Sequence, residues 1–286
     1  MLTLAQNKKT DYRIVIADDA APSVIHGAEE LKRFLGEISG ADFIIDTDRT
    51  KQTEKEILVG RSSHFDALDT GISVCELGDE GLYLKTVGDT VVIVGSDVRG
   101  AMYGVYQLLD EYLGCRWFTE DVSFIPKRSM LTLPELDRKF IPKLEYRDPY
   151  FLGYFDGDWY ARNRMNAQSG NISKLMGGKV RYHRFVHTMD ELIPQKEYGD
   201  SHPEYYALRY KDDGTCERLN HKYSQPCLTN PEVLEIAKKN VRKILADNPD
   251  CQIMSVSQND NFSYCQCDAC KAVDEEEGSH AGTLIR

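Results

Sequence analysis

The apolar positions of this chain change period along its length, and that alternation constrains the fold more than any other feature. Residues 12–17, YRIVIA, form a short β-rich apolar run. Pro22 then opens a stretch in which Ile25, Ala28, Leu31, Leu35 and Ile38 recur every three or four residues, up to Gly40. That spacing places them on one face of a helix, so a strand followed by an amphipathic helix is predicted. Residues 42–46 and 56–60 read as further strands, and 81–95 as two strands around Gly88-Asp89, a hairpin signal. Residues 99–114 put Met102, Val105, Tyr106, Leu109, Tyr112 and Leu113 on one helical face, with Gly114 as the stop. Residues 1–135 are therefore expected to form a small mixed α/β domain, a sheet with two helices packed on one face.

Pro134 and Pro142 punctuate a linker that disfavours helix. Beyond it lie four strand-like runs at 144–151, 182–189, 223–229 and 252–258, whose starts are 38, 41 and 29 residues apart. The clearest helix between them is 231–247. Asn230 suits its N-cap, Pro231 its first position, and Val233, Ile236, Ala237, Val241 and Leu245 its buried stripe. Residues 158–166 are a weaker helix. Repeated βα units at this spacing predict an α/β chain: a small mixed α/β N-terminal domain, then the first half of a TIM (β/α)8 barrel over residues 143–286. A complete barrel needs eight units, typically ~250 residues. The expectation is that the barrel continues past Arg286 and that this chain is part of a longer one.

Charge and composition narrow the partners. A formal net charge of −11 argues against a general nucleic-acid binder, which shows a basic face. No apolar run reaches the ~20 residues of a membrane span. The N-terminus lacks the basic and long apolar regions of a signal peptide. The expected location is the cytoplasm or, had a leader been removed, the periplasm or the outside of the cell. The 16 tyrosines suit sugar-facing clefts and ordinary packing alike. Eight cysteines spread through a long chain, with one local cluster, are not a small disulfide scaffold.

Two phrases carry a family likeness. Arg99-Gly100-Ala101, Tyr103-Gly104 and then Gly114, Arg116-Trp117-Phe118 resemble the small non-catalytic domain that precedes the barrel in family 20 β-hexosaminidases and family 67 α-glucuronidases. HPEYYAL at 202–208, PCLTNPEV at 226–233 and SVSQNDNFSYCQCDACK at 255–271 resemble a bacterial family of formerly unknown function related to glycoside hydrolase family 163. The resemblance implies a carbohydrate-active glycoside hydrolase of the retaining endo-β-N-acetylglucosaminidase type, acting on oligosaccharides or N-glycans. The alternative is a carbohydrate-binding or scaffold protein that has lost catalysis.

In a barrel, active-site groups sit at the C-terminal ends of strands. That rule selects Arg147, His187, Asn259 and Asp260. Asp260 is the candidate catalytic carboxylate, polarising a substrate acetamido group or binding hydroxyls, with a loop cap as its alternative role. The general acid of a hydrolase is expected beyond residue 286. Arg147 matches by position the sugar-binding arginine of family 20, and its alternative is an interdomain ion pair. His187, Arg162, Asn163 and Asn259 are further substrate-binding candidates, each with a structural alternative. Cys267 and Cys270 form a C-x-x-C pair, Cys265 adds a third thiol, and Cys227 at the end of the preceding strand is a candidate fourth for a structural zinc. A disulfide or buried free thiols are the alternatives. No cofactor is expected for catalysis itself.

Overall fold

The computed structural model describes residues 1–151 and 155–286. The chain divides into two compact units, residues 1–179 and 180–286.

Unit one is built on a six-stranded sheet. Its strands are β2 (Arg13–Ile16), β3 (Ile45–Thr47), β4 (Glu56–Val59), β5 (Leu82–Val87), β6 (Thr90–Gly95) and β8 (Asp137–Phe140), in the order β8-β5-β6-β4-β2-β3. The β3, β2, β4 and β6 strands run parallel, while β5 pairs antiparallel with both β6 and β8. A separate antiparallel pair joins β1 (Leu2–Gln6) to β7 (Met130–Leu133). The predicted hairpin is β5–β6, and Gly88 takes its left-handed position at φ +59°.

Both faces of this sheet are covered, which explains why its strands read as continuous apolar runs. Ile14, Ile16, Ile57, Val59, Val91 and Ile93 face the helices α1 (Pro22–Ser39) and α2 (Gly100–Gln107). Val15, Leu58, Val92 and Val94 point the other way, under Phe65, Leu68 and Ile72. Helix α1 ends where expected, at Gly40 with φ +72°. Its buried stripe is Val24, Ala28, Leu31, Leu35 and Ile38. Ile25, placed on that stripe by spacing, is 39% exposed instead. Burying each of the large side chains contributes about 1.5–3 kcal/mol. The second predicted helix stays regular only to Gln107. Residues 108–112 widen into a π-turn before Gly114 reverses the chain at φ +84°.

The Arg-Gly-Ala-x-Tyr-Gly phrase has a packing explanation. Ala101 and Tyr103 are buried in the core, and a Cβ on Gly104 would stand 2.8 Å from the Ile93 side chain. The Tyr103 hydroxyl donates to the Met165 carbonyl at 2.7 Å, tying α2 to the turn after α3 (Gly157–Arg162).

Unit two is less regular. A short parallel pair joins β9 (Tyr182–His183) to β12 (Ile253–Met254), and a hairpin joins β10 (Leu208–Tyr210) to β11 (Cys216–Arg218). Helix α4 (Pro231–Asp247) precedes β12, and α5 (Asp268–Glu277) follows it. Asn230 caps α4 as predicted, its side chain accepting from the Glu232 N–H at 2.9 Å.

Several barrel expectations need correction. Among the described residues no closed barrel forms, and the barrel-like content is limited to strands and helices in this arrangement. The run 144–151 forms no strand. The run 182–189 is a strand only at Tyr182–His183, and 223–229 contributes a single bridge, Tyr206 to Pro226. Pro226 lacks an N–H, and the bonds on either side of it run from the Ala207 N–H to the Gln225 carbonyl at 2.9 Å and from the Cys227 N–H to the Tyr205 carbonyl at 2.8 Å. The α4 stripe is only partly covered. Val233 is buried, Ile236, Ala237 and Val241 are half-buried, and Leu245 is 39% exposed.

Candidate functional site

The residues singled out from sequence fall into two groups. Arg147, Arg162 and Asn163 belong to unit one, whereas His187, Asn259, Asp260 and the four cysteines belong to unit two.

In unit one the guanidinium and amide donors are largely committed to the protein. Glu80, 8% exposed, is a hub that local sequence patterns do not mark. It accepts from Arg99 Nε at 2.6 Å and Asn166 Nδ2 at 2.8 Å, and it pairs with Arg147 Nη2. Arg147 also donates from Nε to the Arg164 carbonyl at 2.8 Å and from Nη1 to the Leu144 carbonyl at 2.8 Å. Its ion pair is thus internal to unit one. Arg162 donates to buried Glu30 at 2.7 Å and lies over the Phe34 ring. Asn163 donates to the carbonyls of Trp159 and Trp117. Arg147 and Asn163 do line a cavity of about 610 Å3, together with Glu80, Tyr103, Arg138 and Arg164. That size suits a small ligand.

In unit two the residues after β9 and after β12 are laced together. The Thr188 N–H donates to the Ser257 carbonyl at 3.1 Å, and the Ser257 N–H returns a bond to Thr188 Oγ1 at 2.9 Å. His187 Nδ1 meets the Gln258 carbonyl at 3.1 Å. His187 sits at φ +58°, in the left-handed region that non-glycine residues seldom occupy. Asn259 is 3% exposed, and its amide donates to the Ser224 carbonyl at 2.9 Å. Gln225 holds both its N–H and its carbonyl. Asp260, the next residue, is exposed, and among the described residues its carboxylate has no hydrogen-bond or ion-pair partner. A pinned backbone thus presents a free carboxylate at the C-terminal side of a parallel strand.

A second carboxylate cluster lies beside this loop and was not read from the sequence. His183 Nε2 meets Glu191 Oε1 at 2.9 Å, and Arg184 Nη1 pairs with Asp190 at 2.9 Å. The segment TMDEL reads as an ordinary solvated turn, because its partners come from the preceding strand end.

The four cysteines do come together. Their Sγ atoms all lie within 4.8 Å of one another. Cys227 Sγ is 3.7 Å from that of Cys267 and 3.9 Å from that of Cys270. Three of the four are buried. Hydrogen bonds from Cys265 and Cys270 pull the Cys227 thiol far below the ordinary range, and Cys265 and Cys270 are pushed up in return, Cys265 to about 11. Such a buried four-thiol group is equipped to hold a structural metal.

Residues 3–108 match the glycosyl hydrolase family 67 N-terminus. Residues 117–286, more than half the chain, match the family described as Domain of unknown function (DUF4838), and the chain belongs to that family. A probable alpha-glucuronidase A of Aspergillus niger is 36% identical over 76 residues, which cover 25% of this chain and 9% of that relative. Among solved structures, a family GH115 4-O-methyl-alpha-glucuronidase with specificity for decorated arabinogalactans superposes with a TM-score of 0.50 at 15% identity. The match covers 99% of this chain and 41% of that one, and it supports the sheet-and-helix arrangement of a (β/α)-barrel enzyme. The chitobiase of Flavobacterium johnsoniae matches over 99% of this chain and 47% of its own, at 13% identity and a TM-score of 0.44. This chain therefore spans less than half the length of these relatives. The relatives in sequence and fold are carbohydrate-active hydrolases. Among the described residues no helix is long and apolar enough to cross a membrane.

Proposed function

We propose that this chain forms part of a glycoside hydrolase acting on N-acetylglucosamine-containing glycans, and that the Gln258–Asn261 loop is one edge of its active site. The observation that carries the reading is Asp260: an exposed, unpartnered carboxylate on a backbone that Gln225 holds in place. A carboxylate positioned in this way can orient and polarise a substrate acetamido group, which then attacks the anomeric carbon while a separate acid protonates the leaving oxygen. His187, whose Nδ1 is engaged by the Gln258 carbonyl, keeps Nε2 for a sugar hydroxyl. Asn259 is a positioning residue, because its amide and backbone are spent on Ser224 and Gln225.

The test is a substrate panel applied to the protein that carries residues 1–286. It comprises chitooligosaccharides, an N-glycopeptide and a 4-O-methylglucuronosyl oligosaccharide, with products read by mass spectrometry. Release of N-acetylglucosamine-containing products supports the reading. Cleavage of the uronoside alone would move the substrate class toward that named for the glucuronidase relatives. Saturable binding without cleavage would make the protein a carbohydrate-binding module instead.

A further inference from the structure

The loop that carries Asp260 is flanked on both sides by the cysteine group. Cys227 lies two residues after Gln225, the residue that holds Asn259, and Cys265 lies five residues after Asp260. Cys267 immediately precedes α5, and Cys270 sits in its first turn. Four thiols from two chain segments thus meet at one point.

Their spacing has a chemical meaning. A zinc–thiolate bond of about 2.3 Å in a tetrahedron gives sulfur–sulfur edges of about 3.8 Å. The edges from Cys227 to Cys267 and to Cys270 are 3.7 and 3.9 Å. A disulfide needs sulfurs about 2.05 Å apart, and all eight cysteines of the chain are free thiols. Apolar packing explains the group poorly, since the buried cluster around it adds only Ala207, with Leu208 partly buried beside it.

The surroundings suit a site whose ligands carry excess negative charge. The Leu208 N–H donates to Cys265 Sγ at 3.3 Å, and the Arg218 guanidinium lies 4.0 Å from the same sulfur. Thr229 Oγ1 is 3.2 Å from Cys270 Sγ. Donors of this kind, around the ligands, stabilise metal-bound thiolates and fix their orientation. Four sulfur ligands in a tetrahedron select a thiophilic cation. We infer that Cys227, Cys265, Cys267 and Cys270 bind a single zinc ion, which fastens the 224–230 segment to α5 and so fixes the loop bearing Asp260. On binding, each ligating thiol gives its proton to water and no electron is transferred.

The experiment is metal analysis of the purified chain, followed by zinc release with a mercurial and reconstitution with Co(II). The expected result is about one zinc per chain, released as the thiols are modified, with the Co(II) form showing the sulfur-to-metal charge transfer and intense visible bands of a tetrahedral thiolate site. Cys267→Ser and Cys270→Ser are expected to lower the zinc content several-fold, and Cys216→Ser and Cys251→Ser to leave it unchanged. If the ligand variants do not fold, the stoichiometry and Co(II) spectrum of the unaltered chain decide alone. Protein that stays zinc-free after reconstitution, or that contains iron, or whose four thiols react as fast as exposed Cys75 and Cys216, would overturn the inference. None of these readouts uses hydrolysis, so their failure leaves the proposed function standing and its failure leaves them standing.

Discussion

Gln225 brackets Asn259. Its Oε1 accepts from the Asn259 N–H at 3.1 Å, and its Nε2 donates to the Asn259 carbonyl at 2.7 Å. One side chain thereby replaces the two ladder bonds that a neighbouring strand would supply, five residues past the end of β12. The same amide nitrogen reaches the Asn261 carbonyl at 3.3 Å, so the residues on both sides of Asp260 are held while Asp260 itself is not.

Truncating Gln225 should therefore cost stability out of proportion to its size. It is 6% exposed, and Gln225→Ala strands a buried N–H and a buried carbonyl. The expected loss is about 2 kcal/mol. Urea unfolding of the chain measures it. Gln225→Glu should be no milder, because it keeps the acceptor but turns a carboxylate oxygen toward the Asn259 carbonyl.

Glu80 is expected to dominate the polar energetics of unit one. Removing it in Glu80→Ala leaves Arg99, itself 7% exposed, without its carboxylate. Breaking a buried pair in this way costs about 3–5 kcal/mol. Glu80→Gln keeps one acceptor oxygen, which can serve Arg99 and Asn166, but puts an amide NH2 where Arg147 needs an acceptor, so its cost should lie between none and that of Glu80→Ala. A loss of stability as small as that of a surface substitution would show that the hub is not a stabilising element.

Unit one should also weaken in acid through Glu56. Burial opposes ionisation of this carboxyl, but the Arg13 guanidinium, the Thr53 N–H and His64 outweigh it and hold the group below the ordinary glutamate range. The unfolded chain titrates near the ordinary value of about 4.3. Below that pH the unfolded state takes up the proton first. The stabilisation is therefore present above this value and is lost as pH falls through the lower folded value. Glu56→Gln should lower stability at neutral pH and flatten this acid limb in a series of denaturation curves.

Much of unit one is legible in the sequence because its instructions are local. The period change at Pro22, the left-handed Gly40 and the Gly88-Asp89 turn each specify a neighbour a few residues away. The cysteine group was legible too, since chemistry confines four thiols more tightly than packing confines four leucines. Glu80 was not, because its partners Arg99, Arg147 and Asn166 lie 19, 67 and 86 residues away. The β10–β11 hairpin escaped notice for a different reason. Its residues Tyr210, Cys216 and Glu217 are exposed, so no buried face imposes a period of two. The runs at 144–151 and 223–229 show the converse error. Alternation identifies residues able to form a strand, but a strand also needs a partner edge: the run 144–151 finds none among the described residues, and 223–229 finds only the single bridge at Pro226.

The most direct measurement of the central claim is the hydrolysis rate of the Asp260→Asn variant, taken with the protein that carries this chain. Asp260 is exposed and unpartnered, so the change should alter stability by no more than about 0.5 kcal/mol. If Asp260 acts on the reacting sugar, cleavage of an N-acetylglucosamine-containing substrate should fall by about a hundredfold or more, with the melting temperature unchanged. An undiminished rate at unchanged stability would contradict the account and remove Asp260 from the active site.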